Sequence, residues 1–290
     1  MKLIKSHVKR IILQLQMASL KSAIAEQGMR ELLVQLAKSV PDLTDQYSTF
    51  KIDTEYLQLK VRAQHAFQIK ITLKALEIIA NQKQENKDTF TVVDIGDSSG
   101  THLRYLKSLI SNSASFCSVR NFQFLSVNLD PIAVEKIRSK GQDAILCRAE
   151  ELFLKNEIKA NLFLSYEVLE HLSNPIDFLN KLSLSVEDTL FVLTVPYLSQ
   201  SRVGLHHVRH NQKRDVYPEN THIFELSPTD WKLIFLHSGW EVIEETIYRQ
   251  YPLKSWMRIM KPFWGKYDFE GFYGVILKKN RRWAELYQFS

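Results

Sequence analysis

Cysteine is scarce. Cys117 and Cys147 are the two in 290 residues, and their separation is not one that metal ligands adopt. That excludes a disulfide-stapled scaffold and a thiolate zinc site, and it suits reduced thiols in a cytoplasmic protein. Long apolar runs are missing too, because no stretch approaches the ~18–20 apolar residues of a spanning helix. The opening MKLIKSHVKRIILQLQ is too often interrupted by charge to be the core of a secretory signal. Acidic residues are thin at both ends. Lys2, Lys5, Lys9, Arg10 and Lys21 precede the first acid, Glu26, and between Arg249 and Arg282 the carboxylates are Asp268 and Glu270. The net charge of +6 is therefore unevenly placed, which suits a phosphate-bearing partner: an anionic membrane surface, a phosphorylated glycan carrier or nucleic acid. No nucleic-acid-binding motif accompanies the basic ends, which ranks nucleic acid last.

What is present is ample core: 45% hydrophobic residues, enough for one large α/β domain plus an extension. The chain is organised around Phe90 to Leu106, FTVVDIGDSSGTHLRYL. A buried-strand run ends at Gly96, turns through Asp97, Ser98, Ser99 and Gly100, and continues at helical spacing through Leu103 and Leu106. A helix N-terminus with glycines before it offers unpaired N–H groups and a close backbone approach, which a nucleotide-like ligand would use.

Upstream, residues 3–38 read as two amphipathic helical pieces ended by Pro41, able to lie on a membrane surface or to pack on the domain or a second subunit. A long helix is expected from Asp53 to about Asn81, and residues 81–88 form a polar connector. Downstream, strands are expected at Phe122–Val127, Ala144–Cys147, Asn161–Tyr166, Thr189–Val195, Trp240–Tyr248 and Gly271–Lys279, and helices begin near Pro131, Ile176 and Pro228. Tyr197 to Phe224 reads as neither helix nor strand, and the basic, aromatic segment 249–270 fits a lid, an interfacial patch or simple packing.

The central stretch resembles the first motif of class I S-adenosylmethionine (SAM) dependent methyltransferases, an acid followed by G-x-G-x-G. Asp94, Gly96 and Gly100 match it, and Ser98 replaces the middle glycine. Glu167-Val168-Leu169-Glu170-His171-Leu172 with Asn174-Pro175 resembles the E-V-L-E-H block after the fourth strand in one branch of that family. The resemblance covers about residues 90–248. It implies a Rossmann-like seven-stranded sheet, with residues 1–52 as an N-terminal helical extension and 53–290 as the methyltransferase domain.

The resemblance also implies a SAM site at Asp94, Gly96, Asp97, Ser98, Gly100, Asn128, Leu129, Asp130, Ala149, Glu150, Tyr166 and Glu167. Asn128 stands where the family usually has its ribose-binding acid, and Arg148 where an acid is common beside the adenine. Arg62, Gln64, His65 and Gln68 on the long helix are candidates for the methionine carboxylate or the acceptor, joined by Arg202, Arg209 and His222 of the insertion. A hydroxyl acceptor needs a base, for which His171 comes first and His206, His207 and His210 second. The insertion histidines have no carboxylates or cysteines in matching sequence positions, so no metal site is expected. The expected activity is O-methylation of a sugar or glycan-type acceptor, the alternative being a scaffold that has lost the cofactor. A nicotinamide oxidoreductase is disfavoured because G-D-S-S-G fits G-x-G-x-x-G badly.

Overall fold

A computed structural model describes residues 2–47, 51–81, 89–111, 121–152, 158–204, 221–261 and 271–287. Seven strands form one sheet: β1 (Thr89–Ile95), β2 (Asn121–Asn128), β3 (Asp143–Leu146), β4 (Leu162–Tyr166), β5 (Leu190–Tyr197), β8 (Trp240–Arg249) and β9 (Gly271–Lys279). Their order across the sheet is β3-β2-β1-β4-β5-β9-β8. Strands β1 to β5 pair in parallel, and β9 enters antiparallel between β5 and β8. The order reverses between β1 and β4, so the loops leaving those two strands border the crevice where open α/β sheets bind ligands.

Each central strand is apolar on both sides, as parallel strands covered on two faces must be. Val92 and Leu164 point into one core and Val93 and Phe163 into the other. The first core is closed by α1 (Lys2–Glu26), α2 (Arg30–Ser39), α3 (Glu55–Asn81) and α4 (Thr101–Ser111), through Leu20, Leu36, Phe67 and Leu106. The N-terminal helices thus share one core with the sheet. The second core is closed by α6 (Pro175–Ser185) and α7 (Pro228–His237), where Trp231, Phe235 and Trp240 are fully buried and the Trp240 indole donates to the Leu179 carbonyl. Between β2 and β3, α5 (Pro131–Ser139) starts at Asp130, whose carboxylate accepts from the Ile132 N–H. Among the described residues no helix is long and apolar enough to cross a membrane.

One expectation is corrected. Within the stretch read as lacking strands, β6 (Arg202–Val203) pairs antiparallel with β7 (Phe224–Glu225). Two residue pairs are too short for an alternation signal, and the ribbon is held by the Arg202–Glu225 ion pair across the strands at 2.5 Å.

Candidate active site

The loop after β1 is built around Asp97. Its buried carboxylate accepts from the Gly100 and Ser99 N–H groups, at 2.8 and 3.3 Å, and from the Ser126 hydroxyl on β2 at 2.8 Å. Burial pushes this carboxyl up to about 6, and the Asp94 charge adds to the effect. Gly96 and Gly100 both adopt positive φ, 93° and 74°, which glycine allows at no steric cost. Ser98 does not share that conformation, so a side chain is tolerated there, and its hydroxyl accepts from the Gln46 amide at 3.0 Å. The Gln46 carbonyl oxygen in turn accepts from Ser99 and Thr101. Gln46 follows α2, so the N-terminal extension shapes the loop.

The second segment leaves β4. Glu167 is the one non-glycine residue with positive φ among those described, at 56°, a conformation that strains a side-chain-bearing residue. It turns the chain into a short 3-10 turn, Leu169–His171. The two loops meet: a β-carbon on Gly96 would overlap the Val168 side chain. A family model described as a methyltransferase domain matches residues 62–245, most of the chain and both loops.

The chain belongs to the class I SAM-dependent methyltransferases. Among curated proteins none matches its sequence. Among solved structures, an assigned sarcosine dimethylglycine methyltransferase from Galdieria sulphuraria is similar in fold, at TM-score 0.52 and 10% identity, covering 77% of this chain and 88% of that one. A 1,6-didemethyltoxoflavin-N1-methyltransferase from Burkholderia thailandensis, solved with its substrate and S-adenosylhomocysteine, gives 0.49 and 11%, covering 87% and 91%.

SAM is the methyl donor of the family, and the loop chemistry of this methyltransferase fits it. The α4 N-terminus opens at Gly100, Leu129 at the end of β2 is 54% exposed as an apolar surface, and buried Ala149 and half-buried Glu150 follow β3. Two of the residues expected at the cofactor have structural bonds. Asn128 donates to the Asp97 carbonyl and accepts from the Asp130 N–H, tying the β1 and β2 loops together, and Asp130 caps α5.

The four candidates on α3 separate. Gln64 is half-buried. Arg62 is buried, and its guanidinium donates to the carbonyls of Leu36, Val40 and Pro41, closing the C-terminus of α2. His65 and Gln68 join an enclosed polar network. The His102 ring sits 4.8 Å from that of His65, its Nε2 bonds to Gln68 Oε1 at 3.0 Å, and its Nδ1 lies 3.3 Å from Asp94. Gln68 also donates to the Thr194 hydroxyl, and Tyr166 bonds to Thr72. Burial pulls the His102 imidazole down, but the Asp94 and Asp97 carboxylates outweigh it and leave the group raised. Sequence reading missed His102, which lies inside the central stretch but carries no local sign of its partners Gln68 and Asp94, and Gln46, which lies outside any motif.

After β4, His171 and His222 come together with their rings 4.7 Å apart, edge to face. His171 Nδ1 faces the Thr221 carbonyl at 3.0 Å, and His222 Nδ1 faces Glu225 at 2.6 Å. Glu225 is fully buried and also holds Arg202. Glu170 lies beside His171, and the Glu167 carboxyl lies against that of Glu170. Burial pushes the Glu167 carboxyl up to about 8 and Glu170 well above its ordinary range, the Glu167 charge adding to the latter. His206, His207, Arg209 and His210 lie outside the described residues.

Proposed function

We propose that this methyltransferase acts on a hydroxyl of a sugar or glycan-type acceptor, which it places at the edge formed by the loops after β1 and β4. The observation that carries the reading is the Gly96 to Val168 contact, which brings the cofactor loop and His171 to one edge. The bound cofactor supplies an electrophilic sulfonium methyl. The chain aligns and ionises the acceptor, since an alcohol is a poor nucleophile until its proton is drawn away. His171 is suited to that task. A carbonyl can only accept, so the Thr221 contact requires the proton on Nδ1 and makes Nε2 the basic nitrogen. His171 therefore acts on the hydroxyl through Nε2, directly or through what Nε2 holds.

A sugar or glycan acceptor is supported by the basic, aromatic ends. In the 3-10 turn Trp256–Met260, Trp256 and Ile259 are 75% and 70% exposed, flanked by Lys254, Arg258 and Lys261. Such a surface suits a lipid-linked sugar presented at an anionic membrane face, with the protein on the cytoplasmic side. The test is His171→Ala assayed with labelled SAM on membrane and glycan fractions. Turnover should fall at least about 100-fold while SAM affinity by calorimetry stays within about threefold. Labelled product in an amine-bearing fraction, unchanged by the substitution, would sink the O-methylation reading.

A further inference from the structure

One donor atom each from Glu170, His171 and His222 lies within 4.8 Å of the other two. Each ring turns Nδ1 to an oxygen acceptor, the arrangement in which metal-binding histidines present Nε2 to the ion. For His171 that acceptor is the Thr221 carbonyl, and for His222 it is the buried Glu225 carboxylate, itself fixed by Arg202. Independently, Glu170 is 0% exposed, and no N–H or hydroxyl donor among the described residues satisfies its carboxyl oxygens, whose polar neighbour is the Glu167 carboxyl. Its Oε1 stands 3.9 Å from His171 Nε2. A buried carboxyl beside a second carboxyl is either held protonated or answered by a cation, and two imidazoles standing next to it suit the cation. We infer that Glu170, His171 and His222 form the binding site of one divalent transition-metal cation of the zinc or manganese kind.

Two imidazoles and one carboxylate suit zinc, manganese or iron(II) better than magnesium, which prefers oxygen ligands and keeps its waters. Three protein donors leave a position open for a ligand, as in catalytic rather than structural sites. Donor atoms around a tetrahedral ion with bonds of 2.0–2.1 Å stand about 3.3–3.5 Å apart, so the three side chains must close by about an ångström. Both histidines are partly solvent-accessible, 18% and 15% by side chain, which gives the ion a path in. The carboxylate that the His-rich insertion lacks along the sequence is Glu170, brought beside His222 by the bond from the Ile223 N–H to the Glu170 carbonyl.

The inference deepens the O-methylation reading and rests on it for the cation's use alone. With the cation bound, His171 Nε2 is a ligand and not the base: the coordinated hydroxyl is more acidic, its proton passes to water, the oxygen's electron pair forms the new O–C bond, and the electrons of the broken S–C bond stay on sulfur.

The test is calorimetric titration of the full chain, chelator-treated and without SAM, with manganese chloride and separately with zinc chloride. One ion per chain should bind. Glu170→Gln and His222→Ala should each weaken it about tenfold or more, and Glu225→Gln by about 10–100-fold. Absence of binding by both ions, or unchanged affinity in Glu170→Gln, overturns the site. If His222→Ala fails to fold by circular dichroism, the near-isosteric Glu170→Gln decides. Binding without any hydroxyl methylation would overturn the acceptor reading and leave the metal site standing.

Discussion

Gly96 lies against Val168 so closely that any β-carbon at position 96 would collide with the valine side chain. The glycine therefore serves the packing of two protein loops. Gly96→Ala should cost about 1–3 kcal/mol, from the clash and from its positive φ together, and SAM affinity should fall with it. Chemical denaturation beside calorimetry checks both. A variant as stable as the parent would mean that the loops are not in contact.

Gln46 satisfies three hydroxyl groups of the β1 loop and is itself 2% exposed. Gln46→Leu would leave the buried Ser99 and Thr101 hydroxyls only each other, with one of their two protons unpaired, at about 1–3 kcal/mol for a buried group left unsatisfied. SAM binding should weaken, although Gln46 belongs to the N-terminal extension. Full affinity and stability in the variant would show that the extension does not support the loop.

Asp97 makes a pH dependence. Its folded-state pKa is raised from 3.8 to about 6, by burial first and by the Asp94 charge second. Between those values the folded protein holds a proton that the unfolded chain has released. The group's stabilising contribution is thus full below about pH 4 and is lost as pH rises through about 6. Asp97→Asn removes the titration, so the stability of the parent relative to this variant should decline from pH 4.5 to 7.5. Parallel thermal-transition curves across that range would refute the assignment.

Arg62 separates a structural role from substrate binding. Its guanidinium donates to three carbonyls at the end of α2. Arg62→Met should therefore lower stability by at least about 1–3 kcal/mol, the cost of orphaning a single buried acceptor, and should change KM for the acceptor little. A large KM effect at unaltered stability would restore Arg62 to the acceptor site.

The order of strands and helices was legible in the residues. Strand runs such as Phe90–Ile95 and Asn161–Tyr166, the helix starts near Pro131 and Pro228, and the two motifs after β1 and β4 all depend on neighbours within a few positions, which the local sequence carries. The identity of the site's partners was not. Gln46 with Ser98, His102 with Gln68, and Glu170 beside His222 join residues from 34 to 52 positions apart. A sequence can show that a histidine or a carboxyl is present, but which polar group answers it once water is removed is settled by how the helices and loops close on the sheet. For that reason the methyltransferase fold and its cofactor loop belong to the sequence. The committed role of Arg62 and the gathering of Glu170, His171 and His222 belong to the tertiary structure alone.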